Sequence, residues 1–344
     1  MKNLYIFDIS GIVYYGTTGF GKIGANDNCY KGFQIGGIKT LMSRLAVALA
    51  DRNDVVLAFD AHSFRKDLLG DYKSDRTPNR YVAAQIDLLY DYLAKAGISC
   101  YKIDGYEADD IIAWAVQRNK NNYANTIIYS NDHDIAHNVQ KNVMLKPIDT
   151  KGIIITESQF QRALSTTDDI RFNTISAYKV FCGCKSDHIP KIRVSGGFVP
   201  VTIYKRFLRF LDENNLKSYE AMTSPKVLAV FTNTVGLFDE ADKREIFNRI
   251  RLIYPAEKPE EIEIKPTVAE CVDRDVLGFL LAMCRDNASA RMLGCKNISV
   301  PEDLNQRVQS LATLLKTGAY SVDRNLEVDP TYEVDSRMLF LKEF

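Results

Sequence analysis

Leu4-Tyr5-Ile6-Phe7-Asp8 is an apolar run that ends on an acid, and the same figure returns at Val55-Val56-Leu57-Ala58-Phe59-Asp60. Between the two, Gly37–Asp51 sets Ile38, Leu41, Leu45 and Leu49 at helical spacing. Strand, helix and strand in that order make a βαβ unit, whose strands run parallel. The rhythm continues outward. Val82–Ala96 is helical through Ile86, Leu89, Tyr92 and Leu93, Ser99–Ile103 reads as a strand, Ala108–Gln117 as a helix and Thr126–Ser130 as a strand. The expected fold class is therefore α/β, a mostly parallel sheet with helices on both faces. Val143–Lys146 and Ile153–Thr156 add a later strand or hairpin. From about residue 157 the periodicity is nearly all helical, at 171–182, 200–212, 239–252 and 276–293. Segment 255–268, rich in Pro and Glu, is the best candidate for an exposed connection.

The chain has 344 residues, 46% hydrophobic and 26% charged, the ordinary balance of a soluble globular protein. At about 150 residues per domain, that length suits two domains or one large domain with an appended lobe. No window approaches the roughly 18 apolar residues of a membrane-spanning helix. The acid at position 8, with no small-residue cleavage site after it, argues against a signal peptide. Seven Cys read as free thiols in a reducing cytoplasm. Cys182-x-Cys184 is the only close pair, and the four His do not stand at zinc spacing from it. Lys plus Arg and Asp plus Glu both number 44, so any basic surface for a nucleic acid must be local. Residues 64–80 mix five bases with three acids. Residues 179–209 are more one-sided, with Lys179, Lys185, Lys191, Arg193, Lys205, Arg206 and Arg209 against Asp187 alone.

Acids gather where the strands end. Asp8 closes the first and Asp60 the second; Glu107, Asp109 and Asp110 follow the third; Asp132 and Asp134 follow the fourth. In an open parallel sheet the carboxyl ends of the strands share one edge, and that edge hosts the site. Seven carboxylates converging there would repel one another unless cations neutralised them. Carboxylate sets with few His select hard ions such as Mg²⁺ or Mn²⁺. Taken singly, each acid also has a plain reading as a helix cap, a first-turn acid or a turn residue. A phosphatase-type hydrolase with Asp8 as nucleophile would want a second acid two residues on, where this chain has Ser10.

Five segments carry a family resemblance. They are Phe7-Asp8-Ile9-Ser10; Phe59-Asp60 with Phe64-Arg65 and Asp71-Tyr72-Lys73-Ser74-Asp75-Arg76; Gly105-Tyr106-Glu107-Ala108-Asp109-Asp110; Ser130-Asn131-Asp132-His133-Asp134; and Gly183-Cys184-Lys185-Ser186-Asp187-His188-Ile189-Pro190. In this order they resemble the 5′-nuclease family of flap endonucleases and 5′→3′ exonucleases, which includes the nuclease domain of bacterial DNA polymerase I. Phage members such as the ribonuclease H of T-even phages are closest in feel. The resemblance covers roughly residues 1–215.

It implies a PIN-like nuclease core over 1–156 with a short helical arch near 62–96, a helical duplex-binding region over 157–215 and a mainly helical lobe over 216–344. It implies two Mg²⁺ (or Mn²⁺) ions, the first at Asp8, Asp60, Glu107, Asp109 and Asp110, with Asp132, Asp134 and Asp187 shared with or belonging to the second. Removing Asp109, Asp110 or Asp134 is then expected to abolish cleavage and leave the fold intact or more stable, because repulsion is relieved. Arg65, Lys73 and Arg76 match the bases that hold the scissile phosphate, and Tyr72 matches an aromatic that stacks on an unpaired base. Lys185, Lys191, Arg193, Lys205 and Arg206 would hold the duplex. The implied activity is structure-selective hydrolysis of 5′ flaps and of nicked or RNA-primed duplex DNA in replication and repair. The implied setting is the cytoplasm of a bacterial or phage-infected cell, with the chain acting as a monomer beside a sliding clamp or single-strand-binding protein.

Two departures stand out. Cys184 replaces an expected carboxylate, which leaves open a weakly active or inactive relative that binds branched DNA. The glycine-rich helix–hairpin–helix is degenerate, reading Ile189-Pro190-Lys191-Ile192-Arg193-Val194-Ser195-Gly196-Gly197, which puts its monovalent-ion site in doubt. The apolar tail 336–344 is either a last element docked on the C-terminal lobe or a peptide for a replication partner.

Overall fold

The computed structural model describes residues 1–19, 28–148, 154–156, 163–165, 170–194, 197, 199–236 and 238–321, so the tail 336–344 lies outside the described residues. The first part runs β1 (Leu4–Asp8), α1 (Ile9–Thr18), β2 (Cys29–Tyr30), β3 (Phe33–Gln34), α2 (Gly36–Ala50), β4 (Asp54–Phe59), α3 (Arg65–Leu68), α4 (Arg80–Lys95), β5 (Cys100–Lys102), α5 (Ala108–Asn119), β6 (Thr126–Tyr129) and β7 (Val143–Lys146). The second part runs β8 (Ala163–Ser165), β9 (Ile170–Arg171), α6 (Ile175–Cys182), α7 (Pro200–Asn214), α8 (Ser218–Thr223), α9 (Pro225–Val235), α10 (Glu240–Ile253), α11 (Arg274–Met283), α12 (Asn287–Leu293) and α13 (Glu302–Thr317).

The main sheet has the order β5-β4-β1-β6-β7, and every pairing in it is parallel. Every residue of β4 is buried, as expected of a parallel strand covered on both faces. The chain leaves β1 to one side through β4 and β5, then returns to its other side through β6 and β7. Strand order therefore reverses at β1, and the crevice outside its carboxyl end is where such sheets bind their ligands.

Two apolar cores flank the sheet. One joins α1, α2 and α4 to the C-terminal helices, with Leu277, Leu280, Leu304 and Val308 fully buried among Leu41, Leu45 and Leu89. The other joins α5 to α6–α10 through Trp114, Phe181, Phe207, Phe231 and Ile246. Helices α11–α13 thus complete the core of the first domain and are not set apart from it as a lobe.

The structure adds one helix, splits another and refines two connections. Helix α1 carries Gly11, Gly16 and two Thr, a poor helix composition, and forms because it packs on α2. A Cβ on Gly16 would stand 2.4 Å from Thr40 Oγ1 and 2.5 Å from the Gly36 carbonyl, so only glycine permits that crossing. The stretch 276–293 is two helices, broken where Arg285 turns left-handed and Asp286 caps α12. Segment 255–268 is an irregular connection with Glu257, Glu260, Glu261, Glu263 and Lys265 exposed, but it is pinned to the sheet: Thr267 pairs antiparallel with Val55 through bonds of 2.8 and 3.1 Å, and Ile264 is fully buried. The proposed hairpin after β7 is present as an antiparallel bridge from Leu145 to Ile155. No helix among the described residues is long and apolar enough to cross a membrane. The seven cysteines are free thiols.

Candidate active site

Asp8 ends β1 and caps α1. Its Oδ1 accepts the Gly11 amide at 3.1 Å and its Oδ2 accepts the Ser130 hydroxyl at 2.6 Å, which ties the ends of β1 and β6 together. A Cβ at position 11 would stand 2.6 Å from Oδ2, so any other residue there would push the Asp8 carboxylate aside. Asp60 follows β4 and accepts the Ala108 amide at 2.8 Å, docking the start of α5 against the sheet edge. Asp109 lies in the first turn of α5. Asp132 caps the 3₁₀ turn His133–Asn138 by accepting the Asp134 amide at 2.8 Å.

Among the described residues no Lys, Arg or His makes an ion pair with Asp8, Asp60, Asp109 or Asp132. The electrostatics follow. Burial, then the charge of Asp60, raise the Asp8 carboxyl to about 7, against the opposing hydrogen bonds from Ser130 and Gly11. Burial and then Asp132 and Asp8 raise Asp109 well above the usual carboxylate range. Burial and then Asp134 raise Asp132 to about 6.

The other four predicted acids carry cations. Glu107 caps α5 in a capping box with Asp110, accepts Lys73 Nζ at 3.0 Å and the Tyr72 hydroxyl at 3.3 Å, and lies 3.4 Å from Arg65. Burial alone would raise its carboxyl, but Lys73 and Arg65 outweigh that and lower it. Asp110 is fully buried and accepts both ends of the Arg65 fork at 2.8 Å, with the amides of Glu107 at 3.0 Å and Ala256 at 2.7 Å. Asp134 pairs with Lys179 Nζ at 2.5 Å, and its other oxygen is buried without a hydrogen-bond partner. Asp187 sits in a tight turn held by the Cys184–Ile189 backbone pair and accepts Arg76 at 2.8 Å. Burial would raise it, but Lys179, Lys73 and Arg76 prevail and hold it at about 2.

Three sequence expectations are corrected here. Arg65 is 2% exposed, and its remaining N–H groups donate to the carbonyls of Leu252 and Tyr254, so it is a buried strut between α3, α5 and the end of α10 rather than a base open to a phosphate. Asp110, saturated by that strut, is not disposed as a ligand. Tyr72 is 4% exposed among Cys184, Ile189 and Leu252, so its ring has no open face for a base. Cys184 is buried too; its thiol donates to Asp187 Oδ2 at 2.9 Å, and burial pushes it up to about 11.

Lys73 is held in the left-handed backbone region, with its ammonium on Glu107. Lys185, Lys191, Arg193 and Lys205 are exposed and Arg206 half-buried, while Ile203, Tyr204, Phe207 and Leu211 bury the opposite face of α7. Part of the degenerate hairpin, Ser195 and Gly196, lies outside the described residues. Sequence reasoning counted Lys179 only as one of a basic stretch. Its signal was its position in the buried helix Ile175–Cys182, where an unpaired ammonium is costly.

Among the described residues no group of three or more His, Cys, Asp or Glu is arranged to hold a metal ion as it stands. The chemistry of the donor set still fits a hard cation: all oxygen, at one sheet edge, with Asp8 buried and Asp60, Asp109 and Asp132 half-buried, and with no cation paired to it.

The acids without an ion-pair partner thus stand at the switch point of a parallel sheet, the edge where such sheets bind their ligands. Residues 3–165 match the family described as 5′-3′ exonuclease, N-terminal resolvase-like domain. The chain is 26% identical to a 5′-3′ exonuclease of Aquifex aeolicus over 293 residues, 78% of this chain and 95% of that protein. It is 28% identical over 217 residues to DNA polymerase I of Borreliella burgdorferi, covering 60% of this chain but 23% of the polymerase. The T5 D15 protein, solved with metal ions, overlays on 89% of this chain and 99% of its own with a TM-score of 0.47 at 15% identity. Over residues 3–165 this chain is therefore similar to the 5′-3′ exonuclease family.

Proposed function

We propose that the chain is a divalent-metal-dependent 5′ nuclease that hydrolyses phosphodiester bonds at 5′ flaps, nicks and RNA primers on duplex DNA. The observation that carries this reading is the set Asp8, Asp60, Asp109 and Asp132, four acids at one sheet edge with no cation paired to them, inside the domain that matches the family. These residues would hold the ion, Mg²⁺ or Mn²⁺, which when bound neutralises phosphate charge and lowers the pKa of a water. The protein's own groups do the positioning. Ser130 fixes the Asp8 carboxylate, and the Ala108 amide fixes Asp60. Lys73, resting on Glu107 in the free protein, is placed to exchange that carboxylate for a phosphate oxygen, where charge grows as the bond breaks. Arg76 would guide the strand from the rim, anchored on Asp187. Lys185, Lys191, Arg193, Lys205 and Arg206 would track the duplex backbone without reading sequence. Residues 1–156 would form the catalytic core and 157–215 the duplex grip. The chain would act as a monomer in the cytoplasm, beside a sliding clamp or single-strand-binding protein at a replication site.

The test is a panel of 5′-labelled substrates in Mg²⁺: a 5′ flap, a nicked duplex, an RNA-primed duplex and a single strand. The reading expects cleavage of the first three well above the single strand and none in EDTA. Equal cleavage of all four would contradict it. Tight binding of the flap with no cleavage in any metal would favour the inactive relative.

A further inference from the structure

Of the three acids assigned by resemblance to a second ion, two already hold cations from the chain itself. Lys179 Nζ stands 2.5 Å from Asp134 Oδ2 and 3.7 Å from Asp187 Oδ2, bridging the pair. The other oxygen of Asp187 takes Arg76 at 2.8 Å. Where the resembled motif has a further carboxylate, Cys184 points its thiol at Asp187 Oδ2, 2.9 Å away, and so acts as a donor to the acid instead of a second anion beside it. Two carboxylates thus face two cations and a thiol. Lys179 is not a surface side chain that swings away at will. It projects from α6, whose Ile175, Val180 and Phe181 are buried, and its own side chain is 22% exposed. A divalent ion arriving there would meet an ammonium in direct contact with the oxygens it needs, and like charges at that range repel strongly where water is scarce.

We infer that Lys179, with Arg76 and Cys184, takes the place of a second divalent ion, so that the free protein binds one ion, at Asp8, Asp60, Asp109 and Asp132. This rests on the proposed function, and it deepens that reading by assigning the charge-neutralising task of the second site to a fixed ammonium. A lysine ammonium is a compact point charge, and held between Asp134 and Asp187 it would complete that half of the site at any metal concentration. Cleavage would then rise with the first power of Mg²⁺ concentration.

The test counts ions without relying on turnover. Mn²⁺ binding is titrated by electron paramagnetic resonance on the full chain without DNA, for wild type, Lys179→Met and Lys179→Arg. The expected result is one ion for wild type and for Lys179→Arg, which keeps the cation, and two for Lys179→Met, whose freed Asp134 joins Asp132 and Asp187. Two ions of similar affinity on wild type would overturn the inference, and so would a single ion on a folded Lys179→Met. If Lys179→Met does not fold, the wild-type and Lys179→Arg counts still decide. No ion on any of them, with no cleavage, would overturn the functional reading itself.

Discussion

Asp109 and Asp110 are neighbours in one motif, yet their removal should move stability in opposite directions. Asp110→Ala deletes the acceptor of four hydrogen bonds, two from Arg65 at 2.8 Å and one each from the amides of Glu107 and Ala256. Arg65 stays behind at 2% exposure, with Glu107 at 3.4 Å as its remaining carboxylate. Breaking a buried pair by removing one partner costs about 3–5 kcal/mol, and the residual contact with Glu107 places this case toward the lower end. For a chain of this length that corresponds to a fall in melting temperature of roughly 5 °C. Asp109→Ala removes a carboxyl that burial and then Asp132 and Asp8 hold well above its ordinary range. The native state therefore binds a proton there that the unfolded chain has released, and the charged form is a liability at high pH. In EDTA, Asp109→Ala should melt at or above wild type above neutral pH, and its advantage should fade toward the ordinary carboxylate range, where both states are protonated. The assay is thermal unfolding by circular dichroism in EDTA, with cleavage measured in Mg²⁺ in parallel. An Asp110→Ala protein as stable as wild type would refute the strut and return Asp110 to the ligand set that the sequence implied.

Further outcomes follow from the same geometry. Lys73→Ala should lower the single-turnover rate more than the affinity, while Lys191→Ala and Arg193→Ala should weaken binding and flatten its salt dependence by about one counterion each; equal effects on affinity alone would contradict that division. Cys184→Asp should not ease Mg²⁺ binding but destabilise the fold by about 3 kcal/mol, since it sets a buried carboxylate against Asp187 2.9 Å away; an unchanged melting curve would count against it. His137, stacked on Tyr219, is lowered by burial to about 4. The unfolded chain takes up that proton first, so stability is whole above the ordinary histidine value and is lost by about 3 kcal/mol as pH falls toward 4. His137→Phe should lack that loss in pH-dependent unfolding; a slope equal to wild type would refute it.

The parallel sheet and its acidic edge were legible because each signal is local: an apolar run, its closing acid and the helix after it. Roles within the edge were not. Arg65 reaches Asp110 across 45 positions and Lys179 reaches Asp134 across 45, and neither pairing leaves a trace in spacing. All the acids of the motifs therefore looked alike, whereas the fold sorts them into Asp8, Asp60, Asp109 and Asp132 without cations and Glu107, Asp110, Asp134 and Asp187 with them. Helix α1 was missed because its glycines argue against a helix by propensity and for one only by contact with α2. Segment 255–268 reads as solvent-exposed from its Pro and Glu, but its backbone pairs with Val55 and supplies the amide of Ala256 to Asp110. Cys184 read only as a departure from an expected carboxylate; burial and the Asp187 contact make it a hydrogen-bond donor.

The most direct test of the central claim is single-turnover cleavage of a 5′-labelled flap duplex by wild type and Asp109→Ala, each in Mg²⁺ and in EDTA, with flap affinity measured alongside in Ca²⁺. The account predicts cleavage by wild type in Mg²⁺ alone, none by a folded Asp109→Ala protein, and flap binding by both. Cleavage that persists in EDTA, or an Asp109→Ala protein that cuts at the wild-type rate in Mg²⁺, would contradict it.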